Sequence, residues 1–200
     1  MKRLFLIMAV ILAVCSGLEA EVLNFDDVTT EAEVMMVSPY PGTVLIWDNF
    51  MVLDAAGYIE NPSGFGNCVV SGDYVVYNRY SGTAEVTADG GERFNFIGAY
   101  LGAAWRDGLE IAVRGYLGIE LKYEQTVMVD SDGSTWFDFN YNLIDRLSFS
   151  SSGGDQNMEM MGSGAQFVMD DFTYIPEPGT MVLFSLSGLF LSRRRKVVTH

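Results

Sequence analysis

The 200-residue chain has one histidine, His200, and it is the last residue. Ser-His and Cys-His nucleophilic schemes and histidine-ligated zinc are therefore excluded from the body of the protein. Of two cysteines, Cys15 lies in the apolar N-terminal run and only Cys68 belongs to the domain that follows. No internal disulfide can form, so core packing or a bound ion must hold an exported domain together. Cys68, in Asn67-Cys68-Val69-Val70, reads as a small hydrophobe pointing into a sheet. No glycine-rich phosphate loop follows a strand and opens a helix. Basic residues are also few: 12 Lys and Arg stand against 26 Asp and Glu, a net charge of −14. Setting aside Lys2, Arg3, Arg193, Arg194, Arg195 and Lys196 with Glu19 and Glu177 leaves 6 basic and 24 acidic residues, near −18. Such a surface repels phosphate backbones and anionic headgroups, which argues against nucleic acid. It suits divalent cations or neutral polysaccharide.

What is present begins with the two ends. Met1-Lys2-Arg3 precedes the apolar run Leu4 to Val14, too short to span a bilayer and shaped as a secretion signal over 1–20. Leu18-Glu19-Ala20 before Glu21 is the expected cleavage site. Leu12-Ala13-Val14-Cys15 has the outline of a lipobox, but Val14 is too large for the place before its cysteine. The other end, 175–200, reads Ile175-Pro176-Glu177-Pro178-Gly179-Thr180, an apolar segment 181–191, and a basic cluster 193–196. Two prolines should break the last strand and give a stiff, protease-accessible linker. The apolar segment can enter the membrane, and the basic cluster resists crossing it.

Pro176, Glu177, Pro178 and Gly179, followed by the apolar stretch and Arg193, Arg194 and Arg195, resemble the PEP-CTERM sorting signal of Gram-negative bacteria. The resemblance implies processing by an exosortase partner, transient anchoring in the inner membrane, and release to the cell surface or outside. The apolar segment is shorter than the ~20 residues of a full span, and arginine snorkelling can extend it.

Between the ends, 21–174, no helical period appears. Apolar and polar residues alternate over short stretches parted by Gly or Asp-Gly, the pattern of an all-β, antiparallel sandwich. Strands are expected at Val22–Phe25, Val44–Val52, Tyr74–Tyr77, Arg93–Tyr100, Leu109–Tyr116, Ile119–Val129, Thr135–Asn140, Ile144–Ser150 and Ala165–Tyr174. Turns are expected at Trp105-Arg106-Asp107-Gly108 and Ser131-Asp132-Gly133-Ser134, and a mobile loop at Ser151–Gly164. Nine or so strands suit a jelly roll, with barrels and immunoglobulin-like sandwiches as alternatives. The segments Asn24-Phe25-Asp26-Asp27, Ile46-Trp47-Asp48-Asn49-Phe50, Ser71–Asn78 and Met169-Asp170-Asp171-Phe172 also resemble a recurring PEP-CTERM-associated domain. That domain is similar to galactose-binding-like jelly rolls.

Two groups of residues could carry chemistry. Asp26 and Asp27 near the start and Asp170 and Asp171 near the end would meet if first and last strands lie side by side. Together they could supply carboxylates to a structural Ca²⁺, which takes 6–8 oxygens. Asp130-Ser131-Asp132-Gly133 resembles the opening of a calcium loop but lacks the later glutamate and reads as a turn. Among the tryptophans, Trp47 and Trp136 alternate with polar neighbours and are expected in the core. Trp105 at a turn is the candidate platform for a sugar ring, with Arg106 and Asp107 beside it to hydrogen-bond hydroxyls. The sequence thus reads as an exported, non-enzymatic protein that binds or structures extracellular polysaccharide. A structural surface protein without a glycan, and a carbohydrate-active enzyme built on two carboxylates, are the alternatives.

Overall fold

The structure, a computed structural model, describes residues 19–28, 34–35, 39–55 and 62–177. The secretion signal, save Glu19 and Ala20, lies outside the described residues, as do Pro178, Gly179, the apolar segment 181–191 and Arg193, Arg194 and Arg195.

Twelve strands among the described residues form two antiparallel sheets, a jelly-roll β-sandwich. In chain order they are β1 (Glu21–Leu23), β2 (Val34–Met35), β3 (Leu45–Asp48), β4 (Phe50–Asp54), β5 (Tyr74–Asn78) and β6 (Ala84–Ala88). Then follow β7 (Phe94–Ala103), β8 (Arg106–Leu117), β9 (Glu120–Val129), β10 (Thr135–Ile144), β11 (Arg146–Gln156) and β12 (Phe167–Pro176). One sheet runs β10-β7-β12-β5-β4-β2, with β1 also paired to β12; the other runs β3-β6-β11-β8-β9. First and last strands do lie side by side, with Glu21 opposite Tyr174 and Leu23 opposite Phe172.

Alternation along the strands places one side chain in two between the sheets. Phe94, Phe96 and Leu101 of β7 face Leu109, Ile111 and Val113 of β8 across a core that also takes Phe149, Phe167 and Phe172. Trp47 sits in this core as expected, its ring 4.9 Å from Phe50, 5.1 Å from Phe172 and 5.6 Å from Phe25, all edge-on. Such edge-to-face contacts add about 0.5–1.5 kcal/mol each to the burial itself. A second apolar cluster covers the outer face of the larger sheet, where Met51, Leu53, Val75, Tyr77 and Val168 would otherwise meet water. The segment 62–71 folds back over them, placing Phe65 and Cys68 on the sheet. Gly64 makes this possible: a Cβ there would lie 1.8 Å from the Ala103 carbonyl oxygen.

Four expectations about strands and connections change. The stretch Val44–Val52 is not one strand, because the chain switches sheets at Asn49, which has φ +58°. Its amide donates to the carbonyls of Arg79 and Thr83 and holds the switch. The turns at 104–105 and 130–134 are not hairpins either; each carries the chain from one sheet to the other. The hairpin is formed by β8 and β9, with Leu109 opposite Val129. The Gly- and Ser-rich stretch from Ser151 continues β11 as far as Gln156, paired with β8 down to Arg106. Last, β12 runs through Pro176, two residues past the expected break. The Glu177 amide donates to the carbonyl of Arg93, just before β7, so the Pro176 nitrogen faces the other side, where the pairing with β1 stops at Tyr174. A missing N–H costs no ladder bond there.

A candidate binding cleft at one end of the sandwich

The two crossovers and the connection from β11 to β12 all fall at the same end of the molecule, and their packing makes a cleft. It has a volume of about 590 Å³ and is lined by Asp107, Asp130, Asp132, Asn157, Met158 and Glu159. Asp107 enters from the start of β8, the next two aspartates from the β9–β10 crossover, and the last three residues from the segment after β11.

Ser131 fixes the floor. Its amide and hydroxyl both donate to Asp107 Oδ1, at 3.0 and 2.7 Å, and its oxygen accepts from Asn157 Nδ2 at 2.9 Å. Its carbonyl accepts from Asn67, which ties the covering segment to the same point. These donors, the Ser131 hydroxyl foremost, hold the Asp107 carboxyl below its ordinary value, so it stays ionised. Asp130 Oδ1 accepts from the Gly108 amide at 2.7 Å. Ser131 is fully buried, and the sequence reading passed over it because Asp130-Ser131-Asp132-Gly133 has the composition of an ordinary turn.

The predicted ligand residues are together, in altered roles. Trp105 is not a loop tip. It is half-buried in the β7–β8 crossover, with Phe65 edge-on at 5.3 Å. A Cβ on Gly162 would lie 2.4–2.5 Å from three carbons of its ring, so that glycine is stacked on the indole. The Trp105 carbonyl accepts from the Asn157 amide. Arg106 turns inward: Nε donates to the Gly164 carbonyl, and the guanidinium donates to those of Gly153 and Gly154 at 3.0 and 2.8 Å. Five fixed donors suit it to stitch a segment rich in free carbonyls. Of the three, Asp107 lines the cleft. Trp136 also departs from its expected core place: it is half-buried on the outer face of the larger sheet.

The paired aspartates converge on one turn, Ser71-Gly72-Asp73. Asp26 accepts from the Asp73 amide and from Asn24, and Asp170 Oδ2 accepts from the amides of Val70 and Ser71. The Ser71 hydroxyl donates to Asp171, and Asp27 is exposed. Burial pushes the Asp170 carboxyl up to about 6 against the pull of its three amide donors. The carboxylates that approach the turn are thus occupied by donors. Among the described residues no group of three or more His, Cys, Asp or Glu is spaced to hold a metal ion. Of the sorting motif, Pro176 and Glu177 are described, and Asn95 donates to Glu177 Oε1 at 3.3 Å.

Fold and tail define a class: a β-sandwich domain carrying a C-terminal sorting signal. Residues 175–196 match the PEP-CTERM protein-sorting motif, the mark of an exported protein sorted by an exosortase in Gram-negative bacteria. Among curated proteins no sequence matches the chain. Among solved structures it is similar to a DUF4465 family protein from Bacteroides caccae, with TM-score 0.59 and 12% identity over 79% of this chain and 99% of that one. A DUF4465 family protein from Bacteroides ovatus gives 0.48 and 10% over 78% and 93%. A family 61 carbohydrate-binding module solved with β-1,4-galactotriose gives 0.39 and 14% over 71% and 91%.

Proposed function

We propose that this exported protein binds neutral extracellular polysaccharide, without cleaving it, in the cleft between Asp107, Asp130, Asp132, Asn157 and Glu159. The observation that carries the reading is the cleft itself, an open recess whose lining offers carboxylate and amide groups to sugar hydroxyls. Ligand sites formed by loops on a rigid sandwich are the common arrangement, and three connections meet here. An acidic domain disfavours anionic glycans, which leaves neutral ones. Asp107 is held ionised by its Ser131 donors, which suits it to accept hydrogen bonds from sugar hydroxyls. The sorting signal supports delivery to the surface, after the apolar segment 181–191 has held the precursor in the inner membrane and an exosortase has released it. The test is a panel of neutral polysaccharides presented to the processed protein. Asp132→Asn and Glu159→Gln should each weaken binding several-fold without lowering the melting temperature. Undiminished binding by both variants would remove the cleft.

A further inference from the structure

The larger sheet carries an aromatic surface that the cleft does not include. Trp136, second residue of β10, lies on its outer face directly opposite Tyr100 of β7. Three contacts fix the indole. Its Nε1 donates to Asp138 Oδ1 at 2.8 Å, and Tyr100 meets it edge-on with centroids 5.3 Å apart. Beneath it is Gly98, where a Cβ would come within 2.6 Å of ring carbon Cζ2 and 3.0 Å of Cη2. A side chain at residue 98 would lift the ring; glycine lets it rest on the strand. The ring is half-buried, so part of it stays open to solvent above the sheet. An immobilised aromatic that is partly open gives apolar contact at little cost in conformational entropy. Asp138, exposed on the same strand and bonded to the indole through Oδ1, brings a second carboxylate oxygen beside it.

The geometry points to Trp136 as a stacking platform for a pyranose ring of a neutral glycan chain whose other end occupies the cleft. The inference rests on the glycan-binding reading above and adds a second contact to it. Trp136 follows Asp132 by four residues, so the chain between them spans at most about 14 Å, the length of a few sugar units. Charge adds to the choice of occupant: with 24 acidic and 6 basic residues in the domain, a stacked anionic sugar would be repelled, while a neutral one gains contact and loses nothing.

The experiment compares the processed parent, Trp136→Leu and Trp136→Phe against short and long neutral oligosaccharides of one series, drawn from β-glucan, galactan, xylan and mannan. Leucine keeps apolar cover over Gly98 without a flat ring, and melting curves establish that both variants fold. The parent should prefer long oligomers. Trp136→Leu should raise Kd for them about tenfold and leave disaccharide affinity unchanged, and Trp136→Phe should restore most of the loss. Equal affinity of parent and Trp136→Leu for every length overturns the platform while the cleft stands. Loss of all binding in Trp136→Leu, with Asp132→Asn unaffected, overturns the cleft and the shared-chain geometry. Failure of the parent to bind any member of the series overturns both.

Discussion

Trp105→Ala separates a clamped tryptophan from a free sugar platform. In the structure the indole is held by Phe65 edge-on and by Gly162 against its face, and both contacts vanish in the variant. A fully buried tryptophan truncated to alanine costs about 3–5 kcal/mol. Trp105 is half-buried, so about 2–3 kcal/mol is the proportionate loss. In a domain of this size each kcal/mol moves the melting temperature about 2–4 °C, which puts the drop at about 4–12 °C. The loss should be local in origin, because Trp105 links the covering segment 62–71 to the segment after β11. Proteolysis around Met158–Gly164 should therefore accelerate before global melting does. Thermal denaturation followed by circular dichroism reads the first effect, and limited digestion with mass mapping reads the second. A variant that melts within about 1 °C of the parent, digests at the parent's rate and has lost glycan affinity would refute the clamp and restore the exposed platform.

Asp170→Asn tests the buried carboxylate. A folded-state value near 6 against an ordinary value near 4 means the folded protein holds this proton across pH 4–6 and the unfolded chain does not. The group's contribution therefore makes stability fall by about 3 kcal/mol as pH rises from 4 to 6, and it is flat above. The variant's melting profile should lose that slope; parallel profiles for parent and variant would contradict it. Cys68 is fully buried and its thiol is pushed up to about 11 by burial, so thiol reagents at pH 8 should modify it only as fast as the protein opens. Rapid stoichiometric labelling of native protein, located by peptide mass, would contradict its place beneath Gly102. Calcium held by Asp26, Asp27, Asp170 and Asp171 would require Asp26, Asp170 and Asp171 to exchange their amide and hydroxyl donors for the ion. It predicts a gain of about 2.7 kcal/mol at a hundred times Kd, reversed by EDTA, and an unchanged melting curve removes it.

The strands were legible because alternation survives in a short window: Phe94, Phe96 and Leu147, Phe149 point inward just as their spacing implies. Ala84–Ala88 alternates too, but its alanines are too small to stand out, and β6 escaped notice. Pairing was harder to read. A turn such as Ser131–Ser134 has the same composition whether the chain returns within its sheet or crosses to the other, since inward residues alternate identically in both cases. The same blindness misplaced Trp105 and Trp136. Charged neighbours at Arg106 and Asp107 look like solvent contacts in sequence, yet one donates to backbone carbonyls and the other accepts from a buried serine. Trp136 looked like core because it alternates in a strand; only the partner strand's Gly98 reveals that the ring lies outside. The carboxylates of the cleft come from the start of β8, the β9–β10 crossover and the segment after β11, up to 52 positions apart from Asp107 to Glu159, and no local motif joins them.

The most direct test of glycan binding in the cleft is a titration of isotopically labelled, processed protein with the best-binding neutral oligosaccharide, followed residue by residue by NMR. The account predicts saturable shifts at the amides of Asp107, Ser131, Asp132, Asn157 and Glu159, spreading to Trp136 and its indole N–H only with the longer oligomers. Saturation with no movement at the five cleft residues would contradict it.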